Sequence, residues 1–248
     1  CLAFLAHRSP TGAVDNIADG SSHDKADAPS GQGTVGSSQP NEQADADGDR
    51  DTRQEPGRQR LIAAERRNIG HYGFGVKGFM LSMIETAIEV TEGRVPAAVI
   101  AEIMAAGREM LEHPIDLLPH AREAVAWAAQ NHRVVLITKG DLLDQERKLA
   151  QSGLGDLFHA VEIVSDKRAE VYQRLFARHG VAPAQAMMIG NSLKSDVLPV
   201  IETGGYGVHV PHALTWALEH AEAPLGHARF FSITDLAELP TLMAGLTA

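Results

Sequence analysis

At 248 residues and 44% hydrophobic content, the chain can build one sizeable core, alone or beside a small second domain, and no more than that. A formal net charge of −10 repels phosphate backbones and anionic lipids alike, which sets aside nucleic acid and membrane surfaces as partners and leaves cations and locally screened small anions open. One cysteine, Cys1, excludes an internal disulfide and a cysteine-built zinc site and fits a reducing, cytoplasmic compartment. No apolar run approaches the roughly 18 residues of a membrane span. The apolar start Cys1–Ala6 is short and lacks the basic flank of a signal peptide. A first residue other than Met leads to the expectation of a fragment or a conceptual translation.

From His7 to Arg60 there is no Leu, Met, Phe, Tyr or Trp, and Gly, Ser, Asp, Gln and Pro dominate. Such a stretch cannot bury enough apolar surface to offset its conformational entropy, so residues 1–60 are expected to be disordered or mistranslated. At Leu61 apolar residues begin to recur at helical spacing. Helices are predicted over Leu61–Asn68, Lys77–Thr91 and Pro96–Glu112, with Gly93 and Pro96 as punctuation, giving an all-helical unit over residues 61–118.

From Pro119 the pattern alternates. It predicts a helix over His120–Gln130, a strand over Arg133–Thr138, a helix over Leu142–Ser152, a strand over Ala160–Val164 and a helix over Ala169–His179. A strand over Ala186–Ile189, a helix over Ser195–Thr203, strands over Tyr206–Val210 and Ala228–Phe231, and a helix over Ile233–Ala244 complete residues 119–248. Strands alternating with helices of about ten residues imply right-handed crossovers and an α/β, doubly wound parallel sheet. Ligands in such sheets bind at the carboxyl ends of the strands.

Three of those ends are polar: Thr138-Lys139-Gly140-Asp141, Ser165-Asp166-Lys167, and Gly190-Asn191-Ser192 with Asp196 beyond it. A hydroxyl and backbone N–H groups at a helix start can hold phosphate oxygens, a lysine neutralises charge, and oxygen ligands suit Mg2+. Taken singly, each part has an ordinary explanation. Thr138 would be an N-cap, Lys167 a solvated lysine and Asp196 a first-turn acid favoured by the helix dipole. Jointly, Thr138-Lys139-Gly140, the lysine after the next strand, and MMIGNSLKSDVLPVIETGG over Met187–Gly205 resemble the second, third and fourth signature motifs of the haloacid dehalogenase superfamily. The resemblance covers about Leu61–Phe231, and the unit before Pro119 looks like that family's helical cap.

That resemblance implies a Rossmann-like core and a Mg2+-dependent hydrolase, foremost a phosphatase of a small phosphorylated metabolite acting through an aspartyl-phosphate. It implies that Thr138 and Lys167 are catalytic, that Thr138, Lys139, Gly140 and Lys167 bind the phosphate, and that Asp196 and Asn191 hold the metal. Many members have Asp where Asn191 stands; an amide oxygen there still offers a neutral ligand. A 2-haloacid dehalogenase-like hydrolase and a non-catalytic phosphate-binding module are the competing functions. Oligomeric state and substrate are not legible.

The family's first motif, DxDx(T/V), supplies the nucleophile and the general acid and must precede the cap. Upstream, Asp45-Ala46-Asp47-Gly48-Asp49 has similar letters, making Asp45 and Asp47 the candidate pair. The preceding Gln39–Ala44 cannot form the apolar strand that the motif follows. A calcium loop fails too, because its sixth position is Arg50 and its twelfth Pro56. The nucleophile motif is therefore not recognisable, and a wrong-frame N-terminal translation is the expectation, with an inactive or fragmentary chain as its consequence. Without a central strand, the strands near Val134–Ile137 and Met187–Ile189 are expected to expose edges and apolar faces. His71, Tyr72, Phe74 and Lys77 form a polar and aromatic cluster that is either substrate-facing or a plain interhelical loop. His209 and His212 have paired spacing but no third ligand.

Overall fold

The computed structural model describes residues 45–213 and 216–246, with side chains from Gly57 onward. The chain divides between Gln59 and Arg60, and Arg60–Ala248 lies in one compact unit. The expectation for residues 1–44 lies outside the described residues.

Three helices come first: α1 (Asp45–Tyr72), α2 (Val76–Val90) and α3 (Ala97–Glu112). Helix α1 starts well before the predicted Leu61. Asn68 ties α1 to α2, donating to Ser82 Oγ at 3.2 Å and to Glu85 Oε2 at 2.7 Å.

Then α4 (Ala121–Asn131), β1 (Val135–Lys139), α5 (Leu142–Ser152), β2 (Ala160–Val164), α6 (Ala169–His179), β3 (Met187–Gly190), α7 (Leu198–Glu202), β4 (Tyr206–His209), β5 (Phe230–Ser232) and α8 (Leu239–Leu246) follow in the predicted alternation. All pairings are parallel. β1 pairs with β2 from Val135↔Ala160 to Lys139↔Val164, and β3 pairs with β4, which pairs with β5. The chain winds outward from β1 to β2, then from β3 through β4 to β5, so the change of direction lies between β1 and β3. That switch point is where a doubly wound sheet opens a ligand crevice.

Among the described residues the two sheets are not hydrogen-bonded to each other, yet they share both apolar layers. Val134 joins Met187, Ile189 and Val208 with α4 and α8 on one face. Val135 and Ile137 join Met188 with α6 and Val200 of α7 on the other. Strands covered on both faces read as continuous apolar runs, which is why VLIT and MMI were recognisable. The apolar faces expected to be exposed are buried: Val134, Val135 and Ile137 are 0% accessible and Ile189 is 2%. The covering helices account for this.

The helix predicted over Ser195–Thr203 is divided into a π-helical turn, Leu193–Val197, and α7. Pro199 has no N–H to give to Ser195 O four residues back, and the Tyr172 hydroxyl supplies that bond instead at 2.9 Å. At the C-terminus, Asp235 and Glu238 form a capping box on the turn Leu236–Glu238 that leads into α8, so the predicted helix starts later than Ile233.

Candidate functional site

Residues 135–139 alternate across the sheet, and the alternation sorts the strand-end side chains. Val135 and Ile137 face the α6 layer, and Lys139 continues that series. Leu136 and Thr138 line a cleft of about 430 Å3 with Ile189, Gly190 and Asn191. Lys139, Lys167, Ser195 and Glu219 line a separate cavity of about 670 Å3. The expected site residues thus fall on two sides of the strand ends.

On the second side, Lys167 Nζ donates to Asp196 Oδ1 at 2.7 Å, with side-chain exposures of 2% and 1%. Asp196 Oδ2 accepts the Ser192 N–H at 3.0 Å, so both carboxylate oxygens are engaged. The π-helical turn aims Asp196 inward, and Gly190 makes room for it. A Cβ on Gly190 would stand 2.3 Å from Asp196 Oδ2. A buried carboxylate facing a buried ammonium is costly to desolvate and tolerable only with this pairing and its additional hydrogen bond.

Lys139 is enclosed by three elements. Its Nζ donates to Ser195 Oγ at 2.7 Å and to Glu219 Oε1 at 2.5 Å, and it lies 3.8 Å from the centroid of the Phe74 ring. Glu219 Oε2 accepts the Ser192 hydroxyl at 2.6 Å. Burial pushes the Glu219 carboxyl up, but hydrogen bonds from Lys139, Ser192 and Ser195, with the Lys139 charge, outweigh it and hold the group below the usual carboxylate range. Phe74 meets Trp216 edge to face at 6.1 Å, and Lys77 pairs with Asp141 at 3.0 Å. Of the cluster His71, Tyr72, Phe74 and Lys77, Phe74 and Lys77 therefore contact residues beyond Pro119, while the Tyr72 hydroxyl turns to Glu85 at 2.8 Å. Glu219, Trp216 and Ser195 gave no local sequence signal.

On the first side, the Thr138 hydroxyl donates to Gln145 Oε1 at 2.7 Å. Gly140 has φ 144, and a Cβ there would meet Gln145 Nε2 at 2.9 Å, so glycine is required for the chain to turn past α5. Asp141 caps α5, accepting the Asp144 N–H at 3.2 Å. Asn191 O accepts from His209 Nε2 at 3.2 Å, and burial pushes the His209 imidazole down. The backbone of Asp45 and Asp47 lies at the start of α1, and their side chains are outside the described residues.

Among the described residues no group of three or more His, Cys, Asp or Glu could hold a metal ion. Asn191 directly follows β3 and Asp196 lies five residues on, in the π-helical turn; both offer hard oxygen atoms. Mg2+ is commonly held by one or two carboxylates with waters and substrate phosphate completing its shell, so this donor set fits that ion in kind. No described helix is long and apolar enough to cross a membrane.

A family model for haloacid dehalogenase-like hydrolases matches residues 11–201. Among solved structures, a haloacid dehalogenase-like family hydrolase from Xanthomonas campestris is 44% identical over 76% of this chain and 76% of its own, with a TM-score of 0.68. The magnesium-bound HAD-hydrolase YfnB from Bacillus subtilis is 16% identical over 79% of this chain and 82% of its own, TM-score 0.57. The L-2-haloacid dehalogenase from Xanthobacter autotrophicus, with chloropropionic acid covalently bound, is 20% identical over 77% and 84%, TM-score 0.52. The latter two likenesses carry the fold alone. No curated protein matches the chain.

Proposed function

The chain belongs to the haloacid dehalogenase-like hydrolases, and we propose that within them it derives from a Mg2+-dependent phosphatase of a small phosphorylated metabolite. The observation that carries this reading is the buried Lys167–Asp196 pair at the ends of β2 and β3. A dianionic phosphoryl group entering beside it would be neutralised by Lys167, with Lys139 close by on the same cavity wall. The Thr138 hydroxyl, now given to Gln145, would hold a phosphoryl oxygen from the opposite side of the strand ends. Asp196 and Asn191 would hold Mg2+, which when bound supplies positive charge to the phosphoryl oxygens.

Aspartyl-phosphate formation needs a second carboxylate facing phosphorus. Among the described residues Asp196 is the carboxylate paired with the Lys167 ammonium. The same strand-end donors would serve one other function, a phosphate-binding module without turnover. Hydrolysis of p-nitrophenyl phosphate by the full chain, with and without Mg2+ and in Asp196→Ala, separates the two. Turnover that needs Mg2+ and is lost in Asp196→Ala supports the phosphatase. Orthophosphate binding without turnover supports the module. Metal-independent release of chloride from 2-chloropropionate would replace both with a dehalogenase.

A further inference from the structure

We propose that Lys139 Nζ, Ser192 Oγ and Ser195 Oγ form a subsite for a phosphate-type oxyanion, which Glu219 fills from within the chain and which a ligand must take from it. The inference rests on the phosphate reading of the strand ends above. Two donors meet one carboxylate, and a third hydroxyl stands beside them. Lys139 reaches Oε1 at 2.5 Å, Ser192 reaches Oε2 at 2.6 Å, and Ser195 Oγ accepts from Lys139 at 2.7 Å on the same side. The serines are 3% and 4% exposed, so their donors are preorganised rather than solvated. An ammonium with two hydroxyls is a donor set that a carboxylate and a phosphate oxygen pair satisfy equally well.

The place of these donors distinguishes the arrangement from an ordinary ion pair. They stand at the ends of β1 and β3, where a doubly wound sheet receives ligands, and the Ser192 N–H also holds Asp196. Lys139, Lys167, Ser195 and Glu219 line one cavity of about 670 Å3. Glu219 comes from elsewhere. It sits on a three-residue turn, Ala217–Glu219, in the connection between β4 and β5, 80 residues from Lys139 in sequence. Lys194 Nζ holds Leu218 O at 2.9 Å and Ser192 Oγ lies 3.3 Å from Glu219 O, so the turn stays on the strand end and it is the Glu219 side chain that must swing away. Its withdrawal would be felt at Trp216, which precedes the turn and packs edge-on against the Phe74 ring that lies over Lys139.

Orthophosphate is the probe, titrated into the full chain by calorimetry and by the fluorescence of Trp216, with Trp127→Phe making that residue the single tryptophan. Glu219→Gln is expected to bind orthophosphate about tenfold more tightly, equivalent to about 1.4 kcal/mol. The gain should vanish when Lys139→Met is added. Glu219→Asp keeps the charge but draws it back by one methylene, and should give an intermediate gain; it also answers the question if the Gln variant folds poorly. Glu202→Gln removes another carboxylate from the cavity wall and should change affinity less than twofold or so. Equal or weaker binding by Glu219→Gln, or the same gain in Glu202→Gln, overturns the subsite. Orthophosphate binding that ignores Lys167→Met overturns the strand-end phosphate reading instead, and no binding in any variant overturns both.

Discussion

Lys167 and Asp196 stand 29 residues apart in sequence and meet in the interior through a 2.7 Å contact between Nζ and Oδ1. With both side chains all but inaccessible, their attraction is offset by desolvation, so the pair is not itself a large source of stability. Removing one partner strands the other charge. Lys167→Met or Asp196→Leu alone is expected to cost about 3–5 kcal/mol, while the double variant should recover most of that loss. Urea denaturation of the three variants measures this. A double variant as unstable as the sum of the singles would show that the contact is not coupled as described.

The second prediction concerns the room that Asp196 needs. Gly190→Ala places a Cβ 2.3 Å from Asp196 Oδ2, so the carboxylate or the β3 backbone must shift. A loss of about 1–3 kcal/mol is expected, as for other overpacked core sites, together with weaker orthophosphate binding. Gly155→Ala, whose Cβ would meet nothing within 4 Å, is the control. If both alanines melt alike, Gly190 is not serving that contact.

Residues 135–139 and 187–190 were legible because parallel strands covered on both faces must be apolar throughout, and their polar ends then fall at the ligand-binding edge by topology alone. Thr138, Lys167, Asn191 and Asp196 are all found at those edges. What the sequence could not convey is which side of the edge each occupies. That depends on strand alternation at a known register and, for Asp196, on a π-helical turn imposed by Pro199 and Tyr172. Glu219 and Trp216 lie in a connection with no periodicity, and their contacts with Lys139 and Phe74 span too much sequence for any local pattern to announce them.

The contacts between the helical unit and the core differ in worth, which gives a third prediction. Lys77–Asp141 is an ion pair with side chains 53% and 32% exposed, and Lys77→Ala should cost less than about 1 kcal/mol, decreasing with salt. Phe74 combines a cation–π contact with Lys139 and an edge-to-face contact with Trp216, and Phe74→Ala should cost about 2–4 kcal/mol including lost burial. Urea midpoints at low and high salt check both. The reverse ranking would mean that charge, not the aromatic contact, fastens the loop at Gly73–Gly75.

The last prediction follows from the carboxyl of Glu219, which folding lowers from its ordinary 4.5 because the bonds from Lys139, Ser192 and Ser195 outweigh burial. A carboxyl that binds its proton less tightly when folded contributes stability that is fully present above its unfolded value and disappears as pH falls through the folded one. The wild-type chain should therefore be more stable than Glu219→Gln at pH 7, the difference should shrink below about pH 4.5, and the two should converge in more acid solution. Paired urea denaturations across that range test it, and a difference that does not change with pH would mean that the carboxylate charge contributes nothing there. The expected loss of stability in Glu219→Gln runs opposite to its expected gain in orthophosphate affinity. Both have one cause, since donors satisfied by Glu219 in the unliganded chain steady the fold and must be released before they can serve a ligand. A variant that gained both stability and affinity would break that link.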